Sequence, residues 1–257
     1  MSFRDWLERR ERGALAWWGR SFRSLPYAGG ARLGLFCDFE GGYAGPAGEQ
    51  YAERGTDLLL GLLDRHQVRM TFNVVAELCR TQARRVRRVI DAGHEVACHG
   101  WRHERPRDLS AEALDQMLGS AGECFADVGV RPVGFRSPRS AWSVPLLKAL
   151  VSRGYRWNAE RDRSGWPYRI VPGLVRVGVT TDDWDLSDEA SPVSGLMSKW
   201  ARCVEQAAWC GQDVSIGVHE WLIGRRGEYA AALDGFLAEV RGRAGLKLET
   251  LGGLAGV

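Results

Sequence analysis

Short apolar runs alternate with longer amphipathic segments along most of the chain. The runs are rich in Val, Leu, Ile and Phe and end in polar or glycine residues, which is typical of buried parallel strands. They predict strands at residues 33–39, 68–75, 95–98, 133–136, 155–159, 174–179, 214–218 and 246–251. The segments between them repeat apolar residues every three or four positions and predict helices at residues 54–66, 80–92, 110–128, 143–153, 192–209 and 228–243.

This alternation predicts parallel βα units, and about seven or eight such units fit a closed barrel better than an open sheet. We therefore expect an α/β fold, a (β/α)7-8 barrel, over residues 31–257. In such barrels the working residues lie where strands end and loops begin. The polar residues that end the predicted strands are Asp38, Glu40, His99, His103, Arg136, Asp182, Asp183 and His219.

Residues 1–30 precede the alternating pattern and are expected to form an amphipathic helix and a linker. The helix is predicted at residues 3–22, where apolar positions repeat between arginines and glutamates. These positions are Phe3, Trp6, Leu7, Ala14, Trp17 and Trp18. Two interpretations remain open: the helix packs on the outside of the barrel, or it lies on an anionic membrane surface.

Composition narrows the class of protein further. The formal net charge of +3 comes from 35 basic and 32 acidic residues spread along the chain, which argues against a dedicated nucleic-acid-binding protein. The six cysteines are widely spaced and contain no CxxC pair, so we expect free thiols in a reducing compartment. The start shows no secretory pattern and no apolar run has the length of a membrane span, so we expect a cytoplasmic protein.

Two histidines four residues apart follow the third predicted strand. If the chain turns helically after the strand, His99 and His103 lie on one face and can reach the same metal ion. A hydrolytic zinc site needs a third protein ligand and an open position, and a carboxylate on a neighbouring strand end is the natural candidate. HxxxH pairs are common by chance, so the spacing alone does not establish a site.

Residues 32–250 resemble the polysaccharide deacetylases of carbohydrate esterase family 4, the NodB-homology family. Five motifs of that family occur in its order along this chain. They are Asp38 and Glu40 in residues 36–40, His99 and His103, Arg136 with Pro138, Asp183 with Trp184, and His219 in residues 216–219. The two acids stand two positions apart, as in one subgroup of the family, whereas most members carry adjacent aspartates.

The resemblance implies a deformed barrel whose first two motifs hold a divalent metal ion. Glu40, His99 and His103 are the implied ligands, and Zn2+ is the expected ion, with Co2+, Ni2+, Mn2+ and Fe2+ as alternatives. Two imidazoles and one carboxylate would leave a coordination position for water and the substrate carbonyl.

The remaining motifs imply the catalytic groups of an amide hydrolase. Asp38 would accept the proton of the attacking water, and His219 would protonate the leaving nitrogen. Arg136 would hold Asp38 ionised and oriented, because a guanidinium can clamp a carboxylate. Asp183 would orient either His219 or Arg136.

Four tryptophans stand within or just after motifs and are candidate substrate-binding residues, together with Arg139 in the third motif. The tryptophans are Trp101, Trp142, Trp184 and Trp221. Flat apolar rings can stack on sugar faces, and packing inside loops is the competing interpretation. A backbone N–H near Arg139 is expected to share the oxyanion with the metal.

The expected function is a metal-dependent amide hydrolase that removes an N-acetyl or N-formyl group from an amino sugar, a glycoconjugate or a related biosynthetic intermediate. The substrate would be a small molecule or a lipid-linked amino sugar at the inner leaflet. The separated acids of the first motif also resemble lipid-linked sugar deformylases and the allantoinase-like branch of the family. An allantoinase-like cyclic amide hydrolase and a non-catalytic carbohydrate-binding pseudoenzyme therefore remain alternatives.

Overall fold

The computed structural model of the chain describes residues 3–162 and 164–257, with side chains from residue 6 onward, so the Phe3 side chain lies outside the described part. The helices are α1 (Phe3–Phe22), α2 (Pro46–Arg65), α3 (Leu78–Thr81), α4 (Ala83–Asp91), α5 (Ala111–Ala126), α6 (Val144–Ser152), α7 (Val193–Cys210), α8 (Glu220–Arg225), α9 (Gly227–Gly242) and α10 (Leu251–Ala255). The strands are β1 (Ala31–Phe39), β2 (Thr71–Val74), β3 (Glu95–Cys98), β4 (Gly134–Arg136), β5 (Trp157–Arg161), β6 (Tyr168–Val171), β7 (Leu174–Val179), β8 (Thr181–Asp182), β9 (Asp213–His219) and β10 (Leu246–Glu249).

Parallel strands form a closed ring, which confirms the predicted α/β barrel. The ring runs through β1, β2, β3, β4, β5, the continuous pair β7 and β8, and β9, and returns to β1. Closure occurs at Thr180, because β7 pairs with β5 whereas β8 pairs with β9. The Thr180 N–H donates to the Ser215 carbonyl at 3.1 Å across this junction. The barrel is deformed since one strand changes partners in the middle.

The amino-terminal end of the barrel is filled by the last residues of the chain. Strand β10 pairs with the first half of β1, and the Thr250 hydroxyl then caps α10 by accepting from the Gly253 N–H at 3.1 Å. Helix α10 inserts Leu251 and Leu254 against Phe36 and Trp157 of the barrel interior. A second and larger core fills the space between the strands and the surrounding helices. One end is thus sealed by apolar packing, and the carboxyl ends of the strands remain open.

Several element boundaries differ from those expected. Helix α2 begins at Pro46, eight residues before the expected start at residue 54, since proline suits the first turn of a helix. The helix expected at residues 80–92 is two helices, separated at Gln82 with φ −137° and ψ 39°. The strand expected at residues 246–251 ends at Glu249. The sequence pattern also missed α8, α10 and β6, which pairs antiparallel with β7 at the edge of the sheet.

Helix α1 is present as predicted and packs against the barrel. Gly19 lies against Tyr168 of β6 so closely that an added Cβ would be 2.3 Å from the ring. Arg20 donates to Asp162 at 2.6 Å, and the Arg12 guanidinium lies over the Trp142 ring at 5.6 Å. No helix of the described residues is long and apolar enough to cross a bilayer.

Candidate metal centre and active site

Strand register brings the polar strand ends together at the open end of the barrel. Asp38 on β1 lies opposite Asn73 on β2 and opposite His219 on β9. His99 follows β3, and Arg136 ends β4. Because all these strands are parallel, their carboxyl ends meet at one mouth.

One carboxylate and two imidazoles converge at this mouth. Glu40 Oε1 lies 3.0 Å from His103 Nε2 and 3.5 Å from His99 Nε2. The helical turn that the HxxxH spacing suggested is absent here. Instead Gly100 and His103 adopt left-handed backbone conformations, with φ 79° and 62°, and this irregular turn aims His103 at Glu40.

The donor atoms fit a divalent ion. The Nδ1–H of His99 donates to the Arg136 carbonyl at 2.9 Å, which leaves Nε2 as the lone-pair nitrogen. His99 Nε2 and His103 Nε2 are both buried, and although Glu40 Oε1 lies close to each, neither makes a hydrogen bond of good geometry among the described residues. Buried polar atoms without partners are costly, so two of them aimed at one carboxylate indicate a ligand that completes the site. Two imidazoles and one carboxylate are a zinc ligand set with an open position.

Asp38 is clamped on the side away from the histidine pair. Arg136 Nε donates to Oδ1 and Oδ2 of Asp38 at 3.0 Å each, and Asn73 Nδ2 donates to Oδ1 at 2.8 Å. Burial raises the pKa of Asp38, but Arg136 and the neighbouring imidazoles together outweigh this effect, and the pKa is lowered. The carboxylate is therefore ionised and oriented, as a proton acceptor has to be.

His219 faces both acids of the first motif. Its Nε2 lies 4.0 Å from Asp38 Oδ2 and 3.8 Å from Glu40 Oε1. Its Nδ1–H donates to Asp183 Oδ1 at 2.6 Å, and the other Asp183 oxygen accepts from the His219 N–H and the Tyr229 hydroxyl, each at 2.9 Å. Burial lowers the pKa of His219, but the carboxylates of Asp183, Glu40 and Asp38, with Asp183 foremost, together override this and raise the pKa to about 10. Asp183 was expected to orient either His219 or Arg136, and in the structure it is hydrogen-bonded to His219.

The sequence did not reveal a buried pair, Glu220 and Arg85, that lies next to the candidate metal ligand Glu40. The Glu220 carboxylate accepts from the Gly41 N–H at 2.8 Å and from the Glu40 N–H at 3.4 Å. Arg85 lies 3.7 Å from Glu220 Oε1, and its guanidinium stacks 4.4 Å from the Phe39 ring centre. Burial raises the pKa of Glu220 to about 6. The signal available in the sequence was an acid directly after the histidine of the last motif.

A cavity of about 400 Å³ opens over these groups. Its lining residues are Asp38, Glu40, Tyr43, Ala44, His103, Arg136, Arg139, Arg161, Asp182, Trp184 and His219. Tyr43 and Arg161 were not expected from the sequence. Arg161 donates to Asp182 at 2.6 Å, so these two charges are paired and Arg139 is the exposed cation at the outer part of the cavity.

Of the four tryptophans predicted to bind substrate, Trp184 alone lines the cavity within the described part of the chain. Trp184 lines the cavity, is 48% exposed and meets the His219 ring edge-on at 5.4 Å. Trp221 lies buried behind it, with ring centres 6.2 Å apart, and therefore supports Trp184 instead of reaching the cavity.

The other two tryptophans are not brought to the cavity, contrary to expectation. Trp142 is buried outside it, with the Arg176 guanidinium 4.2 Å from its ring centre, because α1 and β7 cover this loop. Trp101 packs against the core between helices, with Arg102 4.0 Å over its ring. Loop packing, the competing interpretation, therefore describes both residues.

Comparison with known proteins agrees with this geometry. Residues 39–157 match the family model described as "Polysaccharide deacetylase". A peptidoglycan deacetylase of Helicobacter pylori is 28% identical over 154 residues, which cover 60% of this chain and 50% of that protein. The chain thus spans about half the length of this relative.

Solved structures show the same fold. The crystal structure of a Mycobacterium smegmatis protein assigned as a polysaccharide deacetylase superposes with a TM-score of 0.82 at 24% identity, covering 91% of this chain and 92% of that one. The crystal structure of Puue allantoinase superposes with a TM-score of 0.78 at 17% identity, covering 89% and 90%. The family model and the relatives confirm the resemblance stated from the motifs. The chain therefore resembles the polysaccharide deacetylase family over residues 39–157 and shares the fold of a solved protein assigned to it.

Proposed function

We propose that residues 31–257 form a zinc-dependent amide hydrolase that removes an N-acetyl or N-formyl group from an amino sugar or a sugar-containing intermediate. The observation that carries this proposal is the convergence of Glu40, His99 and His103, with two unpartnered buried nitrogens, on the cavity that also holds Asp38 and His219. The complete donor set and the ordered proton-transfer groups favour catalysis over a non-catalytic carbohydrate-binding role.

Two side chains of the protein supply the proton acceptor for the attacking water and the proton donor for the leaving nitrogen. A divalent ion held by Glu40, His99 and His103 would lower the pKa of water and polarise the substrate carbonyl. Asp38, kept ionised by Arg136, accepts the proton of the attacking water. His219 donates its Nε2 proton to the leaving amine nitrogen, while Asp183 holds Nδ1 and so determines which nitrogen faces the substrate.

The cavity supports a compact polar substrate. Its volume of about 400 Å³ lies at the small end of ligand sites, which suits one sugar ring with its acyl group better than a long polymer. Trp184 offers an exposed ring face, and Arg139 offers positive charge. We infer an N-acylated amino sugar that carries an anionic group, such as a phosphate linking it to a lipid or a nucleotide carrier.

An allantoinase-like reaction is the second candidate, favoured by the separated acids Asp38 and Glu40. The same groups would activate water for attack on a cyclic amide. Ring opening would then give a single product, whereas deacylation releases acetate or formate. Product analysis distinguishes the two reactions.

Zinc analysis of purified protein tests the proposal. The wild type is expected to bind one equivalent of zinc, and Glu40→Ala and His99→Ala are expected to lose it. Asp38→Asn should retain zinc and lose turnover of N-acetyl or N-formyl amino sugars. A wild type that binds no divalent ion when supplied with it, or an Asp38→Asn variant with unchanged turnover, refutes the mechanism.

A further inference from the structure

Helix α1 presents three large aromatic side chains to solvent instead of to the barrel. The residues facing the barrel recur every three or four positions and are Glu8, Arg12, Leu15, Ala16, Gly19 and Arg20. Trp17, Trp18 and Phe22 lie on the outer side and are 57%, 48% and 62% exposed. An ordinary surface helix has the opposite arrangement, with apolar residues inward.

The three outer rings form one contiguous cluster, here named the aromatic patch (Trp17, Trp18 and Phe22). The Phe22 ring centre lies 4.5 Å from that of Trp18 and 5.9 Å from that of Trp17. More exposed large apolar side chains lie on α1 than on any other element in the described part of the chain. Scattered single exposures are normal, whereas a contiguous patch marks a contact surface.

The charged residues near the aromatic patch indicate which kind of partner binds it. Basic residues lie on the same side of the protein: Arg9 and Arg10 are exposed on α1, and Arg23 is exposed directly after it. Lys148 of α6 borders the groove beside Trp17 and Trp18, together with Glu11. A second copy packed symmetrically on this face would bring these like charges together, which is unfavourable. At an anionic bilayer the same charges meet lipid phosphates, while Trp rings occupy the interfacial layer that suits their apolar body and polar N–H.

We propose that the aromatic patch docks the protein on the surface of an anionic bilayer. The helix cannot leave the barrel freely, because Arg20 is bound to Asp162 and Gly19 is packed on Tyr168. Docking therefore holds the barrel itself at the lipid surface. This inference is independent of the proposed hydrolysis.

Vesicle sedimentation tests the docking surface. The full chain is expected to sediment with vesicles of phosphatidylcholine and phosphatidylglycerol, less with phosphatidylcholine alone, and less at high salt. The double variant Trp17→Ser, Trp18→Ser should bind at least about tenfold more weakly, since each buried indole contributes roughly 150–250 Å² of contact. Phe22→Ser should show a smaller loss, and Arg9→Gln with Arg10→Gln should reduce the preference for anionic lipid.

The matched control is Trp209→Ser on α7, which removes a tryptophan that is 91% exposed but lies outside the patch. Its vesicle binding should equal that of the wild type. Absence of wild-type binding to anionic vesicles, or equal binding by the double variant, overturns the proposal. A wild-type dimer in light scattering that the double variant converts to a monomer also overturns it, since a second copy would then be the occupant.

An independent observation concerns the buried pair Glu220 and Arg85. We infer that this pair positions the metal-binding carboxylate of Glu40. The Glu220 side chain is fully buried and binds the N–H groups of Glu40 and Gly41, so it determines the path of the backbone that carries the ligand. Gly41 has a φ of 54°, and an added Cβ would be 2.7 Å from Arg85, which shows how closely the turn fits the pair.

Zinc affinity, measured by competition with a chromophoric chelator, tests this positioning role; the test rests on the proposed zinc site. Glu220→Gln keeps one acceptor oxygen but turns an N–H2 group toward backbone donors, so zinc affinity is expected to fall about 10- to 100-fold, the usual effect of losing a supporting partner. Arg85→Lys, which retains a cation beside Glu220, should cause a smaller loss.

The matched control for the pair is Asp213→Asn. Asp213 accepts from Arg32 at 2.9 Å in another buried ion pair, at the amino-terminal end of the barrel. This variant loses stability in the same way but should keep wild-type zinc affinity. Unchanged affinity in folded Glu220→Gln, or an equal loss in Asp213→Asn, rejects the positioning role. Absence of zinc binding by the wild type instead rejects the proposed function.

Discussion

Replacing Gly55 by alanine is expected to force α2 away from α8 and destabilise the whole protein. A Cβ added at Gly55 would lie 1.7 Å from the Glu220 carbonyl oxygen, 2.6 Å from its carbon and 3.0 Å from the Gly224 nitrogen. Ordinary contacts begin at 3.4 Å, so two backbones have to move and no side chain can yield in their place. Helix α8 starts at Glu220, directly after His219, and the movement therefore reaches the candidate site.

The expected magnitude follows from two opposing terms. Overpacking in a close-packed interior costs about 1–3 kcal/mol, and more where the opposing atoms are backbone. Alanine regains about 0.5–1 kcal/mol over glycine within a helix. Because the atoms opposite Gly55 are backbone, the cost lies at or above the upper end of that range, about 3 kcal/mol. The net loss in the free energy of unfolding is then about 2 kcal/mol or more, which lowers Tm by roughly 4–8 °C for a chain of this size.

Gly61→Ala on the same helix is the matched control. Gly61 is exposed, and nothing lies within 4 Å of its added Cβ, so this variant should gain about 0.5–1 kcal/mol. Urea unfolding of both variants, followed by circular dichroism, measures the difference. If Gly55→Ala is as stable as Gly61→Ala, the close approach of α2 and α8 is wrong.

Further variants probe the active site. Asp183→Asn should lower kcat at least about 100-fold with zinc retained, because the amide no longer holds the His219 proton; an unchanged kcat would contradict the acid role. Tyr229→Phe removes one hydrogen bond to Asp183 and should lower kcat by about tenfold or less, and a larger loss than that of Asp183→Asn would reverse the assigned order. Trp184→Ala should raise KM with kcat nearly retained, whereas loss of kcat alone would exclude substrate binding as its role. Removal of zinc by EDTA should lower Tm, and zinc at about 1,000 times its Kd should restore about 4 kcal/mol; a Tm independent of zinc would contradict the site.

Local patterns predicted most of the strands and placed the proposed metal ligands at strand ends. The run that ends in Asp38 and Glu40 is β1, and the histidine pair follows β3, because buried strands and their polar ends are encoded by neighbouring residues. The same reasoning misplaced the start of α2 and predicted a helical turn between His99 and His103. Left-handed conformations at Gly100 and His103 produce that turn, and spacing alone does not reveal them.

Whether each tryptophan reaches the cavity depends on tertiary packing, which a local sequence pattern does not specify. Trp184 and Trp142 both follow motif residues in the sequence. Trp184 lines the cavity, whereas Trp142 is covered by α1, whose position depends on Arg20, Gly19 and the unexpected strand β6. Proximity to a motif in sequence therefore does not establish contact with the substrate.

From the sequence alone, periodicity determined the barrel class, and the motifs predicted the family resemblance and the proposed ligands Glu40, His99 and His103. Only the tertiary structure decided how the ring closes at Thr180, which partner Asp183 holds, and what supports the metal ligands. The physical reason is sequence distance: Glu220 binds the Glu40 N–H from 180 residues away, and Tyr229 binds Asp183 from 46 residues away. Such contacts arise from the register of parallel strands and the packing of helices on them, which a pattern of neighbouring residues does not specify.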